Sequence, residues 1–87
     1  MSEASVGKRL MLEDGSSIPV IYSDILADMQ YSYLTTRVTW QLRMYYSFYS
    51  LALVKLQKAH FLSDRQVEKL MGINCKMYRM RMQECDY

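Results

Sequence analysis

The sequence predicts a mainly α-helical fold: a short N-terminal arm or β-hairpin over 1–22, then one helical domain over 23–87 ending in a helix-turn-helix at 63–84. Three observations predict it. Apolar residues recur every three or four positions through most of the chain after Ser23, the period of a one-sided helix. Asp14-Gly15 separates two short apolar runs near the N-terminus. Gly72-Ile73-Asn74 interrupts the last apolar stripe with residues that stop one helix and start another.

Residues 1–7 are small and polar and read as a frayed terminus. Lys8–Glu13 and Ser17–Tyr22 can pair as strands across Asp14-Gly15. Pro19 has no N–H to donate and confines its strand to an edge. Because a two-stranded hairpin alone is marginal, an irregular arm is the alternative. Ser23 is placed to cap a helix from Asp24 to about Leu34, with Ile25, Leu26, Met29 and Tyr33 on one face. Asp24 and Asp28 suit the positive end of its dipole.

Thr35-Thr36 breaks the pattern. From Arg37 to Ala59 the spacing of Leu42, Tyr45, Tyr49, Ala52, Leu53 and Leu56 favours one long helix. The alternation of Val38, Trp40, Leu42 and Met44 leaves a strand at 36–43, followed by a helix at 45–59, as the alternative. This segment is apolar on nearly every side, and a chain of 87 residues cannot surround it alone. Trp40, Tyr45, Phe48, Tyr49 and Ala52 are therefore expected at a homodimer interface, where aromatic side chains concentrate. The competing reading is a one-sided core with exposed Tyr hydroxyls. A minor reading stacks Tyr45-Tyr46, beside Arg43, on single-stranded nucleic acid.

Ser63 and Gln66 have capping-box spacing, and Val67, Leu70 and Met71 follow as a helical stripe. Gly72 can close that helix, Ile73 can fill the angle, and Asn74 can cap a second helix over about Cys75–Glu84. On it Met77, Met80 and Glu84 share one face and Lys76, Arg79 and Gln83 another. Apolar Met would pack inward, while Lys and Arg facing outward suit phosphates and base edges. The plainer reading is a helical hairpin with a solvated basic face.

Charge is uneven along the chain. Residues 1–35 carry −3, residues 36–63 carry +4 with no acid, and residues 64–87 carry +1. Between Lys69 and Arg81 there are bases and no acid, which favours a polyanionic partner. Cys75 and Cys85 on one helix are too far apart to bridge and read as free thiols. With His60 they give no zinc spacing, so no metal and no cofactor is expected. The lone His60 itself reads as a helix-end residue. No Gly-rich phosphate loop, no nucleophile–base constellation and no paired carboxylates are present in the sequence, so a non-enzymatic protein is expected. Met1–Gly7 is unlike a signal peptide, and the apolar run Met44–Val54 is well short of the ~20 residues a spanning helix needs. A soluble, cytoplasmic protein is expected.

Residues from about Ser50 to Glu84 resemble the PapB-type fimbrial regulators and the related KorA-type plasmid repressors. The resemblance lies in Leu62-Ser63-Asp64-Arg65-Gln66-Val67, then Gly72-Ile73-Asn74, then Met77-Tyr78. One departure stands out: helix-turn-helix units usually carry a small residue four before the turn Gly, and here it is Glu68. The resemblance implies a bacterial, plasmid or phage transcription regulator that binds double-stranded DNA sequence-specifically, as a dimer or higher oligomer. It implies that Lys76, Tyr78 and Arg79 meet bases and that Arg65, Lys69 and Arg81 lie nearer phosphates, with Asn74 and Gln83 completing the set. The alternative is a non-enzymatic phage or plasmid accessory protein or inhibitor, binding a partner protein through a Tyr/Met-rich helical surface. Salt separates the two, because phosphate contacts weaken steeply as salt rises.

Overall fold

A computed structural model describes residues 8–85. It contains two strands, β1 (Arg9–Met11) and β2 (Ser17–Pro19), and three helices, α1 (Tyr22–Thr35), α2 (Thr39–Lys58) and α3 (Asp64–Glu84). The architecture is mainly helical with a short N-terminal hairpin, as the sequence predicts. The expected frayed terminus at 1–7 lies outside the described residues.

The strands pair antiparallel, with Leu10 opposite Ile18. The turn rests on two local devices. Gly15 takes φ 91°, open to glycine at no steric cost. Asp14 Oδ1 accepts from the Ser16 N–H at 3.0 Å and from its hydroxyl at 2.5 Å. Those bonds from Ser16 hold the Asp14 carboxyl below its ordinary pKa. The hairpin is part of the domain: Ile18 and Val20 are buried in the same core as the helices. That burial supplies the support an isolated hairpin lacks.

Helix α1 begins two residues earlier than the sequence suggests. Its N-cap is Ile21, without a side-chain cap, and Ser23 lies inside the first turn. Ile25, Met29 and Tyr33 form its buried face. Helix α2 is continuous from Thr39, and no strand forms at 36–43. Thr36 ends α1 and Val38 caps α2. Helix α2 ends in a Schellman arrangement: the Phe61 N–H reaches the Leu56 carbonyl and the His60 N–H that of Gln57, with His60 at φ 65°. His60 is thus a helix-end residue in the conformation glycine usually takes.

Helix α3 corrects the main expectation for the C-terminal segment. The capping box is formed, with Ser63 Oγ accepting from the Gln66 N–H and Gln66 Oε1 from the Ser63 N–H. Gly72-Ile73-Asn74, however, is no turn. Asp64–Glu84 is one unbroken helix, so residues 63–84 hold no helix-turn-helix. Interior Gly lowers helix stability by only about 1 kcal/mol, too little to break a helix whose flanks are packed. Asn74 caps nothing; it is buried mid-helix among partners from two other helices.

Contacts fix how α2 and α3 run. Gln57 Nε2 bonds Asp64 at 2.7 Å, Asn74 reaches Ser50 and the Tyr46 carbonyl, and Tyr78 stacks on Tyr46 at 4.6 Å. Numbers fall on α2 as they rise on α3, which describes a long antiparallel helical hairpin. Helix α1 lies across it, with Tyr33, Tyr45 and Tyr49 clustered at ring separations of 6.2–6.3 Å. Two polar bridges cross this core. Tyr33 Oη donates to Asn74 Oδ1 at 2.5 Å, and Tyr49 Oη donates to Asp28 Oδ2 at 2.8 Å. No buried side-chain N or O among the described residues lacks a partner, which holds the three helices in one arrangement.

Candidate nucleic-acid interface

Because α3 is continuous, its side chains sort cleanly by face. Val67, Leu70 and Asn74 are buried against α1 and α2. Opposite them, Arg65, Lys69, Gly72, Lys76, Arg79 and Gln83 recur at alternating steps of four and three and are all exposed. The result is one ridge along a helix of roughly 30 Å. Ion pairs do not consume its charge. Among the described residues the ion pairs are Lys55–Glu13 and Arg81–Glu84, which leaves Arg65, Lys69, Lys76 and Arg79 without one. Glu68, at the edge of the ridge, is its single acid.

Gly72 notches the ridge between Lys69 and Lys76. A Cβ placed there would meet nothing within 4 Å. The notch opens toward a shallow depression bordered by Lys76, Arg79 and Gln83. The ridge therefore presents cationic groups on either side of accessible helix backbone.

The residues expected to bind DNA divide in two. Arg65, Lys69, Lys76, Arg79 and Gln83 are brought together on this ridge. Asn74, Tyr78 and Arg81 are not. Asn74 is buried between Tyr33, Tyr46 and Ser50. Tyr78 stacks on Tyr46 of α2. Arg81 turns inward: its Nε donates to the Tyr33 carbonyl at 2.9 Å and its Nη2 to that of Thr36 at 2.7 Å. A positive side chain thus closes the negative end of α1, where carbonyls have no helical partner.

The expected dimer residues divide as well. Tyr49 and Ala52 lie in the core of the single chain, and Tyr45 and Phe48 pack against it. Trp40 alone of the set is exposed, at 58%. Met44 and Leu51, at 53% and 65%, are exposed beside it and were not in the expected set. Their spacing of four and eleven from Trp40 is the readable signal, since it puts all three on one helix face.

Among the described residues no group of three His, Cys, Asp or Glu side chains could hold a metal ion. Cys75 and Cys85 are free and half-buried. No helix is long and apolar enough to cross a membrane among the described residues. No protein-family model, curated protein or solved structure matches the chain.

Proposed function

We propose that the protein binds double-stranded DNA through the outer ridge of α3, as a single helix rather than as a helix-turn-helix. The observation that carries this reading is the set of four exposed bases, Arg65, Lys69, Lys76 and Arg79, without an ion-pair partner among the described residues and on one face of an unbroken helix. Long cationic side chains in a row release counterions from the phosphate backbone, the term common to nearly all DNA binders. An α-helix fits the ~12 Å major groove, and α3 stands on the outside of the bundle with its polar edge outward. Gln83 adds donors suited to base edges near the C-terminal end of that helix. Regulation of transcription by occupying a site is the role such binding serves here.

Equilibrium binding of the purified chain to a labelled duplex at low and moderate salt tests this. Four phosphate contacts give a slope of log affinity on log salt of about −3.6. The double substitution Lys76→Ala/Arg79→Ala is expected to lower the slope by about 2 and weaken binding at every salt. The double substitution Lys55→Ala/Lys58→Ala, which removes equal charge from α2, is expected to leave most of the affinity. Equal losses in both variants, or no binding at low salt, would remove the assignment to α3.

A further inference from the structure

We infer that Arg43 of α2 grips the phosphate backbone at the edge of the groove that α3 enters, so that the DNA footprint crosses from one helix to the next. This rests on the DNA reading of the α3 ridge and adds a contact to it.

The packing of the helical hairpin places Arg43 there. Opposite positions on its two helices are Gln57 and Asp64, Ser50 and Asn74, and Tyr46 and Tyr78. Arg43 stands one turn beyond Tyr46 on α2, and Arg79 one residue beyond Tyr78 on α3, so the two arginines share one end of the hairpin. They also share a side. Each residue turns an α-helix by about 100°, so a residue two along points the other way. Arg43 is two before Tyr45, which packs on Tyr33 of α1. Arg79 is two before Arg81, which bonds the end of α1. Both arginines therefore face away from α1. Both are exposed, and neither has an ion-pair partner among the described residues. Glu84 is held by Arg81. Two guanidinium groups turned to one side repel each other, and an anion between them offsets that repulsion.

The shape of a duplex supplies that anion in the right place. Its major groove is about 12 Å wide and admits one helix. Packed helices lie about 8–10 Å apart, so with α3 in the groove α2 stands over the phosphates at its edge. The flank of α2 beside α3 carries Arg43, Ser50, Val54 and Gln57. Ser50 and Gln57 are bonded to α3 and Val54 is apolar, which leaves Arg43 as the charge of that flank. Lys55 lies on the other flank, paired with Glu13 of the hairpin turn. A phosphate contact fixes orientation and carries no sequence information, so Arg43 is a positioning residue for α3.

Salt titration of duplex binding by the full chain tests this. Five phosphate contacts instead of four steepen the slope of log affinity on log salt to about −4.5. Arg43→Ala is expected to return it to about −3.6 and to weaken binding several-fold. The loss should be the same on two duplexes of unrelated sequence. Arg43→Lys should keep the slope, since an ammonium also neutralises a phosphate. Lys55→Ala removes the same charge from the other flank and should change neither quantity. Arg43 is exposed, so helical circular dichroism should be unchanged in its variants. An unchanged slope in Arg43→Ala, beside a reduced one in Lys76→Ala/Arg79→Ala, would overturn the inference and leave the α3 reading intact. An equal loss in Lys55→Ala would overturn it as an effect of net charge, and a loss confined to one duplex would overturn it by assigning Arg43 to a base. Absence of binding by the unsubstituted chain at low salt would remove the α3 reading itself, and this contact with it.

Discussion

Arg81 of α3 closes the C-terminus of α1 by donating to the main-chain carbonyls of Tyr33 and Thr36, at 2.9 and 2.7 Å. It also pairs with Glu84, and its side chain is only 18% exposed. Hydrogen bonds to charged groups contribute about 1.5–3 kcal/mol each, and removing the donor leaves two carbonyls short of a partner. Arg81→Met is therefore expected to lower unfolding stability by about 2–4 kcal/mol in urea titration. Arg81→Lys should recover only part, since an ammonium lacks the planar fork that reaches two carbonyls at once. DNA affinity of the folded fraction should be unchanged in both variants, which separates this arginine from Arg79 two residues earlier.

Gly72 gives a test of the unbroken helix itself. Its backbone is helical and a Cβ there would touch nothing within 4 Å. Gly72→Ala is expected to stabilise the protein by about 0.5–1 kcal/mol through helix propensity. The thermal midpoint should rise by several degrees in a domain of this size. A tight turn between two helices would respond in the opposite direction, because alanine resists the left-handed conformation such a turn needs. The same added methyl fills the notch in the ridge, so DNA affinity should fall modestly while stability rises.

Much of this architecture was legible from local pattern. The hairpin follows from Asp14-Gly15 between two apolar runs, α2 from the spacing of Leu42 through Leu56, and the start of α3 from Ser63 with Gln66. The errors share one physical origin: partners far away in sequence. Gly72-Ile73-Asn74 has the chemistry of a turn, and what keeps it helical is Asn74 bonding Tyr33, 41 residues away. Arg81 reads as a surface base until α1 brings its terminal carbonyls, 45 and 48 residues distant, beneath the guanidinium. Tyr49 and Ala52 read as a surplus of apolar surface because nothing local announces the core they enter, where Asp28 and Ser32 of α1 bond the Tyr49 hydroxyl. Arg65, Lys69, Lys76, Arg79 and Gln83 were legible because exposure of a polar face needs no partner.

His60 occupies a position that glycine normally fills. At φ 65° its Cβ crowds the following carbonyl, which costs an L-residue about 1–2 kcal/mol. His60→Gly relieves that strain but loosens the unfolded chain, so a net gain of about 0.5–1 kcal/mol is expected. His60→Val should lose stability, because a β-branched residue tolerates this conformation worst. Urea midpoints of the two variants, with unchanged slopes, check the pair.

Asn74 bridges all three helices, accepting from Tyr33 Oη and donating to the Tyr46 carbonyl and Ser50 Oγ. Asn74→Leu keeps the volume but strands the Tyr33 hydroxyl in the core, and an unsatisfied buried donor costs about 1–3 kcal/mol. Adding Tyr33→Phe removes the stranded group. The double variant is therefore expected to be more stable than Asn74→Leu alone, by about 1 kcal/mol or more. Strict additivity of the two losses in a double-mutant cycle would show that the bridge does not couple them.

Alkaline pH should expose the same core. Burial raises the pKa of Tyr33 and of Tyr49 above the ordinary value of 10.0. For Tyr49 the hydroxyl also faces the Asp28 carboxylate, which disfavours a phenolate beside it. Each folded pKa is raised, so the contribution to stability is fully present below pH 10 and is lost as pH climbs from there toward the folded value. Over that window the unfolded chain has released the phenolic proton and the folded chain retains it. Unfolding free energy should then fall by up to about 1.4 kcal/mol per pH unit for each tyrosine. Urea unfolding at pH 8, 9.5, 10.5 and 11 is expected to be flat at first and then to decline. Tyr33→Phe and Tyr49→Phe should each remove about half of the decline. A decline of the same steepness in the double Phe variant would assign the alkaline loss to other groups.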